Sequence, residues 1–264
     1  MKRGLVRLNV MRNYLSRRDM LELLAGTSAV LVGCGGQSVS ADSGASDASS
    51  DAALADADAT TCTQTPEGEI GPYFADDSEA GFDRTNITTN LDGTGAQDGI
   101  PLTLTVTVVD TENGCAPYVG AQVDIWQCNA SGVYSDEASE STAADSWLRG
   151  FQLTDARGQI TFQTIVPGWY GGRTNHIHLR VRSTYSEASS TTDGTNTTQL
   201  FFDQTFVDRL ATSVAPYSAE RTNPTTNAGD RVYSTETDGA NVLVLAGDDT
   251  SGYASSITIG LPIG

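Results

Sequence analysis

The sequence predicts an all-β protein, a β-sandwich of mostly antiparallel strands, behind an N-terminal signal and a linker that lie outside the fold. Apolar residues recur at every second position in several short segments, as strands with one buried face require. Turn-forming residues separate those segments at short intervals. No segment has apolar residues at helical spacing over the length that a helical domain needs. Many short strands with regular turns are typical of a sandwich.

Residues 1–34 predict an export signal. The basic start of the chain ends in the pair Arg17-Arg18, and the apolar stretch that follows, residues 23–32, is too short to span a bilayer comfortably. Paired arginines before such a stretch resemble a twin-arginine signal. The run Leu31-Val32-Gly33-Cys34 resembles a lipoprotein cleavage site, so we expect an exported periplasmic or extracellular protein with a lipid anchor on Cys34. An ordinary signal peptide with an incidental cysteine is the alternative.

Residues 35–61 predict a flexible linker, and residues 62–264 form the expected folded domain. The linker consists almost entirely of Gly, Ser, Ala, Asp and Thr, which bury too little apolar surface to offset the entropy lost on ordering. The whole chain has a formal net charge of -18. This charge argues against nucleic acid or an anionic membrane surface as a partner, so the expected contact with a membrane is limited to the anchor on Cys34.

Within the domain, alternating apolar residues predict a series of strands. The first is 102–108, where leucine and valine alternate with threonine. Further strands are expected at 121–128, 148–154, 159–166, 176–182, 199–206, 242–246 and 255–261. The turn Asp155-Ala156-Arg157-Gly158 predicts that the two strands beside it form a hairpin. A Ser/Thr-rich loop is expected over 183–197 and a short helix within 203–212.

Three cysteines, Cys62, Cys115 and Cys128, lie in the domain. Export would permit a disulfide, and an odd number leaves at least one cysteine outside an intrachain pair. We expect Cys62, at the start of the domain, to pair with Cys115 in a turn region, and Cys128 to be buried in its strand. Metal binding by the three thiols is the alternative, although no Cys-x-x-Cys spacing supports it.

The two histidines of the chain, His176 and His178, indicate a functional site. They are two residues apart in a predicted strand, so both side chains face the same way, opposite to Ile177. Paired imidazoles suit zinc, copper, nickel or iron. Tyr170 narrows the choice, because a phenol with a pKa of about 10 binds as phenolate only to a strongly Lewis-acidic ion such as Fe(III). Arg173 lies between Tyr170 and the histidines, where its charge could stabilise an anionic substrate.

Five groups of short motifs follow one another over residues 62–210. They are Thr65-Pro66-Glu67, Gly71-Pro72-Tyr73-Phe74, Asp124-x-Trp126 with Gly132-x-Tyr134, Pro167-Gly168-x-Tyr170 with Arg173-x-x-His176-x-His178, and Thr198-Gln199-Leu200-Phe201-Phe202. In this order and at this spacing, the motifs resemble those of the intradiol ring-cleavage dioxygenases, which include the catechol and protocatechuate enzymes.

The resemblance implies a non-haem Fe(III) cofactor with four ligands, Tyr134, Tyr170, His176 and His178. Tyr170 would leave the iron when substrate binds and would take up a substrate proton, while Tyr134 would stay. Arg173 would stabilise the activated substrate, and Gln199 would form a hydrogen bond near the reacting carbon.

The implied reaction is cleavage of a small catecholic substrate by O2, with both oxygen atoms incorporated, to give a cis,cis-muconate-type diacid. The alternative is a non-catalytic surface module that keeps the sandwich and binds aromatic or carbohydrate ligands without turnover. All four ligand types are present, which favours the enzyme. The choice of catechol would depend on residues 62–80 and on the loops at 129–147 and 183–197.

Overall fold

The computed structural model describes residues 62–75, 81–183, 194–219 and 225–263. These residues form two β-sheets that share one apolar core, which confirms the predicted all-β sandwich. The expectations for the export signal, Cys34 and the linker at 35–61 lie outside the described residues. Among the residues that are described, no helix combines the length and the apolarity needed to cross a membrane.

The secondary structure consists mainly of short strands. In chain order these are β1 (Pro101–Asp110), β2 (Ala116–Pro117), β3 (Gln122–Trp126), β4 (Arg149–Leu153), β5 (Gln159–Ile165), β6 (His176–Arg182), β7 (Gly194–Phe201), β8 (Ala246–Asp248) and β9 (Gly252–Leu261). A helix, α1, spans Gln204–Ser213. Single 3-10 turns occur at Ala138–Glu140 and Asn227–Gly229, and a π-helical turn spans Val232–Glu236.

The two sheets differ in strand direction. One sheet has the order β4-β3-β6-β7, and its neighbouring strands are all antiparallel. The other has the order β2-β1-β9-β8, with β5 also paired to β1. Its pairs are antiparallel except for β1 and β9, which run parallel. The expectation of mostly antiparallel strands is therefore confirmed.

Strand β6 lies inside the first sheet, between β3 and β7, and every one of its residues is buried. Its side chains alternate as predicted: Ile177, Leu179 and Val181 belong to the apolar core between the sheets. His176 and His178 therefore point to the opposite face of the sheet. That face is also covered, so both imidazoles are enclosed rather than exposed on a sheet surface.

The predicted hairpin of β4 and β5 is wrong. Strand β4 pairs with β3, and β5 pairs with β1 in the other sheet. The turn itself forms, because the Asp155 amide donates to the Gln159 carbonyl at 3.0 Å, but the chain then crosses between sheets. A turn motif reports only the local reversal of the chain, whereas the partner of each strand is set by where its apolar face meets the core.

Near the C-terminal part of the domain, two expected strands are shifted along the chain and the expected helix is confirmed. The strand expected at 199–206 is β7, which ends at Phe201 and begins inside the predicted loop. The predicted helix is confirmed as α1, and the Asp203 side chain caps it by accepting a hydrogen bond from the Thr205 amide at 2.9 Å. The strand expected at 242–246 lies later, as β8, and Val242 forms only an isolated bridge to Phe201.

The predicted disulfide is confirmed. Cys62 and Cys115 are bonded, with their Cα atoms 5.8 Å apart, so the start of the domain is tied to the turn between β1 and β2. Cys128 is buried as expected, but the expected strand position is wrong, because β3 ends at Trp126, two residues earlier.

Candidate metal centre

The alternation of β6 brings the two imidazoles to one point. Their Nε2 atoms lie 3.2 Å apart, and His176 and His178 are 1% and 0% exposed. His176 Nδ1 lies 2.7 Å from the carbonyl oxygen of Thr174, so this nitrogen carries the proton and donates it. The Nε2 atom of His176 therefore keeps a free lone pair, directed at the same point as Nε2 of His178.

Two tyrosines approach this point from outside the strand. Tyr170 follows β5 through the Pro167-Gly168 turn, and its hydroxyl lies 3.4 Å from His176 Nε2. Tyr134 comes from the loop after β3, and its ring centroid lies 5.7 Å from that of Tyr170 and 6.4 Å from that of His178. The fold therefore brings together all four residues that the sequence nominated as ligands, although they come from three separate segments.

The donor atoms of this cluster suit a ferric ion. Among the described residues the buried Tyr134 hydroxyl has no hydrogen-bond partner, a costly arrangement that a bound cation would relieve. Two neutral imidazoles and two phenolates form a nitrogen and hard-oxygen set of the kind that Fe(III) favours. Within the described ranges, no three His, Cys, Asp or Glu side chains are grouped to hold a metal, so a metal held by the two histidines would also need the phenol oxygens.

Burial sets the protonation of these groups in the absence of metal. It lowers the pKa of His176 to about 3, with Arg173 adding to the effect, and it lowers the pKa of His178 well below its usual value. Both imidazoles are therefore neutral near pH 7 and able to bind metal. Burial raises the pKa of Tyr170 to about 12 and also raises that of Tyr134, so the phenols lose their protons only to a strong Lewis acid.

Arg173 is bound on three sides at the edge of the cluster. Its Nε donates to Asp230 Oδ2 at 2.8 Å, one terminal nitrogen donates to Gln199 Oε1, and the other lies 3.4 Å from the Tyr170 hydroxyl. A guanidinium is always charged, and its fork is rigid. Its positive charge is thus directed at the Tyr170 hydroxyl.

Gln199 is placed by strand pairing. It lies directly opposite His178 in the antiparallel register of β6 and β7, so the two side chains share one face. Its Nε2 donates to the carbonyl of Glu69 at 3.0 Å, while its Oε1 accepts from Arg173. In the sequence, Gln199 could be identified only from its motif. In the fold, the pairing of β6 with β7 brings it into the site.

Aromatic rings form the wall around the cluster. The Trp126 indole stacks on His178 with ring centroids 4.8 Å apart, and Trp126 lies opposite His178 in the register of β3 and β6. Tyr73 stacks on Tyr134 at 4.3 Å and meets Tyr170 edge-on at 5.5 Å. Such a wall excludes water and offers ring faces to an aromatic ligand.

Sequence reasoning missed two residues that shape the site. Asp230 ends a segment in which Thr and Asn recur, and no periodicity or motif distinguishes it. Gly71 has φ +72°, and a Cβ added there would come within 3.0 Å of His178 Cε1. The motif containing Gly71 was recognised, but its close approach to an imidazole could not be read from the chain.

Comparison with known proteins identifies a matching family and several similar relatives. The sequence profile of a family described as "Dioxygenase" matches residues 70–236, more than half of the chain. Over 92 residues the chain is 34% identical to a catechol 1,2-dioxygenase of Candida albicans, covering 28% of this chain and 29% of the relative. Over 110 residues it is 32% identical to a protocatechuate 3,4-dioxygenase beta chain of Burkholderia cepacia, covering 38% and 46%. The chain thus spans less than half the length of these curated relatives.

Two solved structures are similar over most of the domain. An intradiol ring-cleavage dioxygenase from Tetranychus urticae superposes with a TM-score of 0.62 at 28% identity, covering 77% of this chain and 96% of that one. The dioxygenase domain of a dioxygenase carbohydrate-binding protein fusion from Streptomyces sp. SirexAA-E has a TM-score of 0.52 at 27% identity, covering 76% and 100%. On this family match and these structures, the chain belongs to the intradiol ring-cleavage dioxygenase family.

Proposed function

We propose that the protein is a non-haem Fe(III)-dependent dioxygenase that cleaves a catecholic ring between its hydroxyl-bearing carbons with O2, giving a cis,cis-muconate-type diacid. The observation that carries the proposal is the convergence of two buried imidazoles and two phenols, with Arg173 beside one phenol. Tyr134, Tyr170, His176 and His178 would hold the iron. When bound, Fe(III) supplies the Lewis acidity that deprotonates phenols and catechol hydroxyls and activates the ring toward oxygen.

The two tyrosines are suited to different tasks. Tyr134 is 2% exposed and enclosed by Tyr73 and the guanidinium of Arg149, which favours a ligand that stays in place. Tyr170 is less deeply buried, and its pKa is raised to about 12 without metal. As a phenolate, a side chain of this basicity would accept a proton from a catechol hydroxyl that approaches it. Tyr170 therefore serves as the proton acceptor for substrate binding.

Arg173 and Gln199 act on the substrate side of the cluster. The Arg173 guanidinium lies 3.4 Å from the Tyr170 hydroxyl, so it would stabilise negative charge on a catecholate bound beside Tyr170. Gln199 stands across from His178 on the same face and is fixed at both ends of its amide. These contacts orient the two side chains before substrate arrives, which lowers the cost of reorganisation during the reaction.

The test combines colour and oxygen uptake. Iron-loaded protein should be red-brown from tyrosinate-to-iron charge transfer, and it should consume O2 with at least one of catechol, protocatechuate and hydroxyquinol. Tyr170→Phe and His178→Ala should abolish turnover. Tyr118→Phe is the matched control, because the Tyr118 hydroxyl donates to the Ser183 carbonyl and, among the described residues, has no contact with the four candidate ligands. A colourless protein that binds zinc rather than iron, with no O2 uptake, would instead support a non-catalytic binding module.

A further inference from the structure

We propose that Asp230 is a positioning residue for the dioxygenase site, which it serves by locking Arg173 in the orientation that faces Tyr170. The inference rests on the proposed function for its kinetic consequence, but its structural part stands on geometry alone. Asp230 is 0% exposed and Arg173 is 13% exposed at the side chain, and their Nε–Oδ2 distance is 2.8 Å.

The carboxylate of Asp230 is fully used, and its four hydrogen bonds link two segments. Oδ2 accepts from Arg173 Nε and from the Thr174 amide at 2.9 Å. Oδ1 accepts from the amides of Val232 and Tyr233 at 2.9 and 3.2 Å, at the start of the π-helical turn. A carboxylate that accepts from donors on every side has one favourable position, and a buried ion pair with such bonding is rigid. Because the π-helical turn holds the Asp230 carboxylate in place, the carboxylate in turn holds the Arg173 side chain in one orientation.

The bond to Nε matters because of the shape of a guanidinium. With Nε fixed, the plane of the group is set, and its two terminal nitrogens can point only toward Gln199 and Tyr170. A lysine at this position would keep the charge but lose the fork. Without the Asp230 carboxylate, the guanidinium could rotate about its last torsions while remaining charged. The expected loss is thus one of orientation rather than of charge.

The same carboxylate also supports the histidine strand. The Thr174 amide donates to Asp230, and the Thr174 carbonyl accepts the Nδ1 proton of His176. Asp230, which lies outside the strands, therefore holds both Arg173 and Thr174, the residues just before β6. Asn227 reinforces this hold, since the Thr174 hydroxyl donates to Asn227 Oδ1 at 2.7 Å.

The first test observes the side chain of Arg173 directly. The Nε–H group of Arg173 should give a slowly exchanging signal in a ¹H–¹⁵N spectrum of the full chain, either metal-free or loaded with diamagnetic Ga(III). The signal is assigned by its absence in Arg173→Lys. It should disappear or exchange rapidly in Asp230→Asn and persist in Asp249→Asn. The latter is a matched control, because Asp249 forms a separate, partly exposed ion pair with Arg209.

The second test measures turnover in a double-mutant cycle. Asp230→Asn should keep the charge-transfer band but lower kcat by about 10- to 100-fold, the scale expected for a misplaced stabilising group. In an Arg173→Lys background the same substitution should change kcat by less than about threefold, because its main effect, on the orientation of Arg173, is already lost and Asn227 still holds Thr174. If Asp230→Asn does not fold, Asp230→Glu takes its place, since it keeps the charge and displaces the carboxylate.

Several results would overturn the inference. These are an unchanged Arg173 Nε–H signal in the Asp230 variant, turnover within about threefold of the wild type, or additive losses in the cycle. If the wild-type protein turns over none of the catechols, the proposed function fails. In that case the spectrum still decides whether Asp230 orients Arg173.

Discussion

The indole of Trp126 lies parallel to the imidazole of His178, with an angle of 9° between the rings and 4.8 Å between their centroids. The two residues face each other across β3 and β6, and both are fully enclosed. The indole therefore holds the face of one candidate iron ligand, and the ligand cannot tilt without losing this contact.

Replacing Trp126 by Leu should loosen this imidazole. We expect weaker retention of Fe(III) and a shifted charge-transfer band, together with a loss of roughly 2–4 kcal/mol in the free energy of unfolding. Trp147→Leu is the matched control, because Trp147 is 3% exposed but belongs to the core between the sheets. Both variants should lower the urea midpoint, and only the first should change the spectrum. Identical spectra in the two variants would contradict the role of the stacked indole.

Gly71→Ala should displace the His178 imidazole, an effect that comes in addition to the backbone strain at this position. A Cβ at Gly71 would lie 3.0 Å from His178 Cε1, and φ at this position is +72°. Gly93 has a similar φ of +83° with nothing within 4 Å, so Gly93→Ala carries the same backbone penalty without the clash. Each substitution should cost about 1 kcal/mol of stability from its backbone. Iron titration should show reduced affinity for Gly71→Ala, and an unchanged affinity would show that the site absorbs the extra atom.

The metal-free protein should lose stability as the pH falls below about 6.5. Burial lowers the folded-state pKa of His176 to about 3 and that of His178 well below its usual value. Between the unfolded and folded pKa values the unfolded chain binds protons first, so acid favours unfolding and the stability is retained only at higher pH. Urea midpoints at pH 7.5 and pH 5 measure the effect above the range of carboxylates, whose pKa values lie at about 4. His178→Gln should reduce the difference between the two midpoints, and an equal difference would reject this assignment.

Removal of the Cys62–Cys115 disulfide should destabilise the domain without altering the candidate metal site. The bond closes a loop with a sequence separation of 53, for which the chain-entropy estimate is about 4 kcal/mol. The urea midpoint of the wild type should fall on reduction, and the double variant Cys62→Ser/Cys115→Ser should start low and not respond to reductant. The charge-transfer band should be the same in all cases while the proteins are folded. A changed band would mean that the disulfide supports the site as well as the fold.

Export should depend on the paired arginines. Replacement of Arg17 and Arg18 by Lys should keep the protein inside a bacterial host that has a working twin-arginine translocase. Cys34→Ala should leave export intact but release the protein from the membrane fraction, since the expected lipid anchor is lost. Fractionation with an antibody to the domain measures both outcomes. Export of the lysine variant at the normal level would remove the twin-arginine assignment.

Local patterns in the sequence determined much of this protein. The period of two in β6 already placed His176 and His178 on one face, and alternation identified most strands of the sandwich. The order of the motifs by itself indicated the family. These features could be predicted because side-chain direction in a strand depends only on position along the chain.

The tertiary structure decided which strands meet and which distant groups complete the site. The hairpin expected from the Asp155–Gly158 turn did not form, because β4 and β5 find their partners in different sheets. Gln199 reaches His178 through the register of β6 and β7, and Asp230 reaches Arg173 from a loop with no recognisable pattern. The strand pairings depend on how distant apolar faces pack together, and the contact between Asp230 and Arg173 depends on the burial of both charges. Neither leaves a periodic trace in the residues themselves, so only the folded chain reveals them.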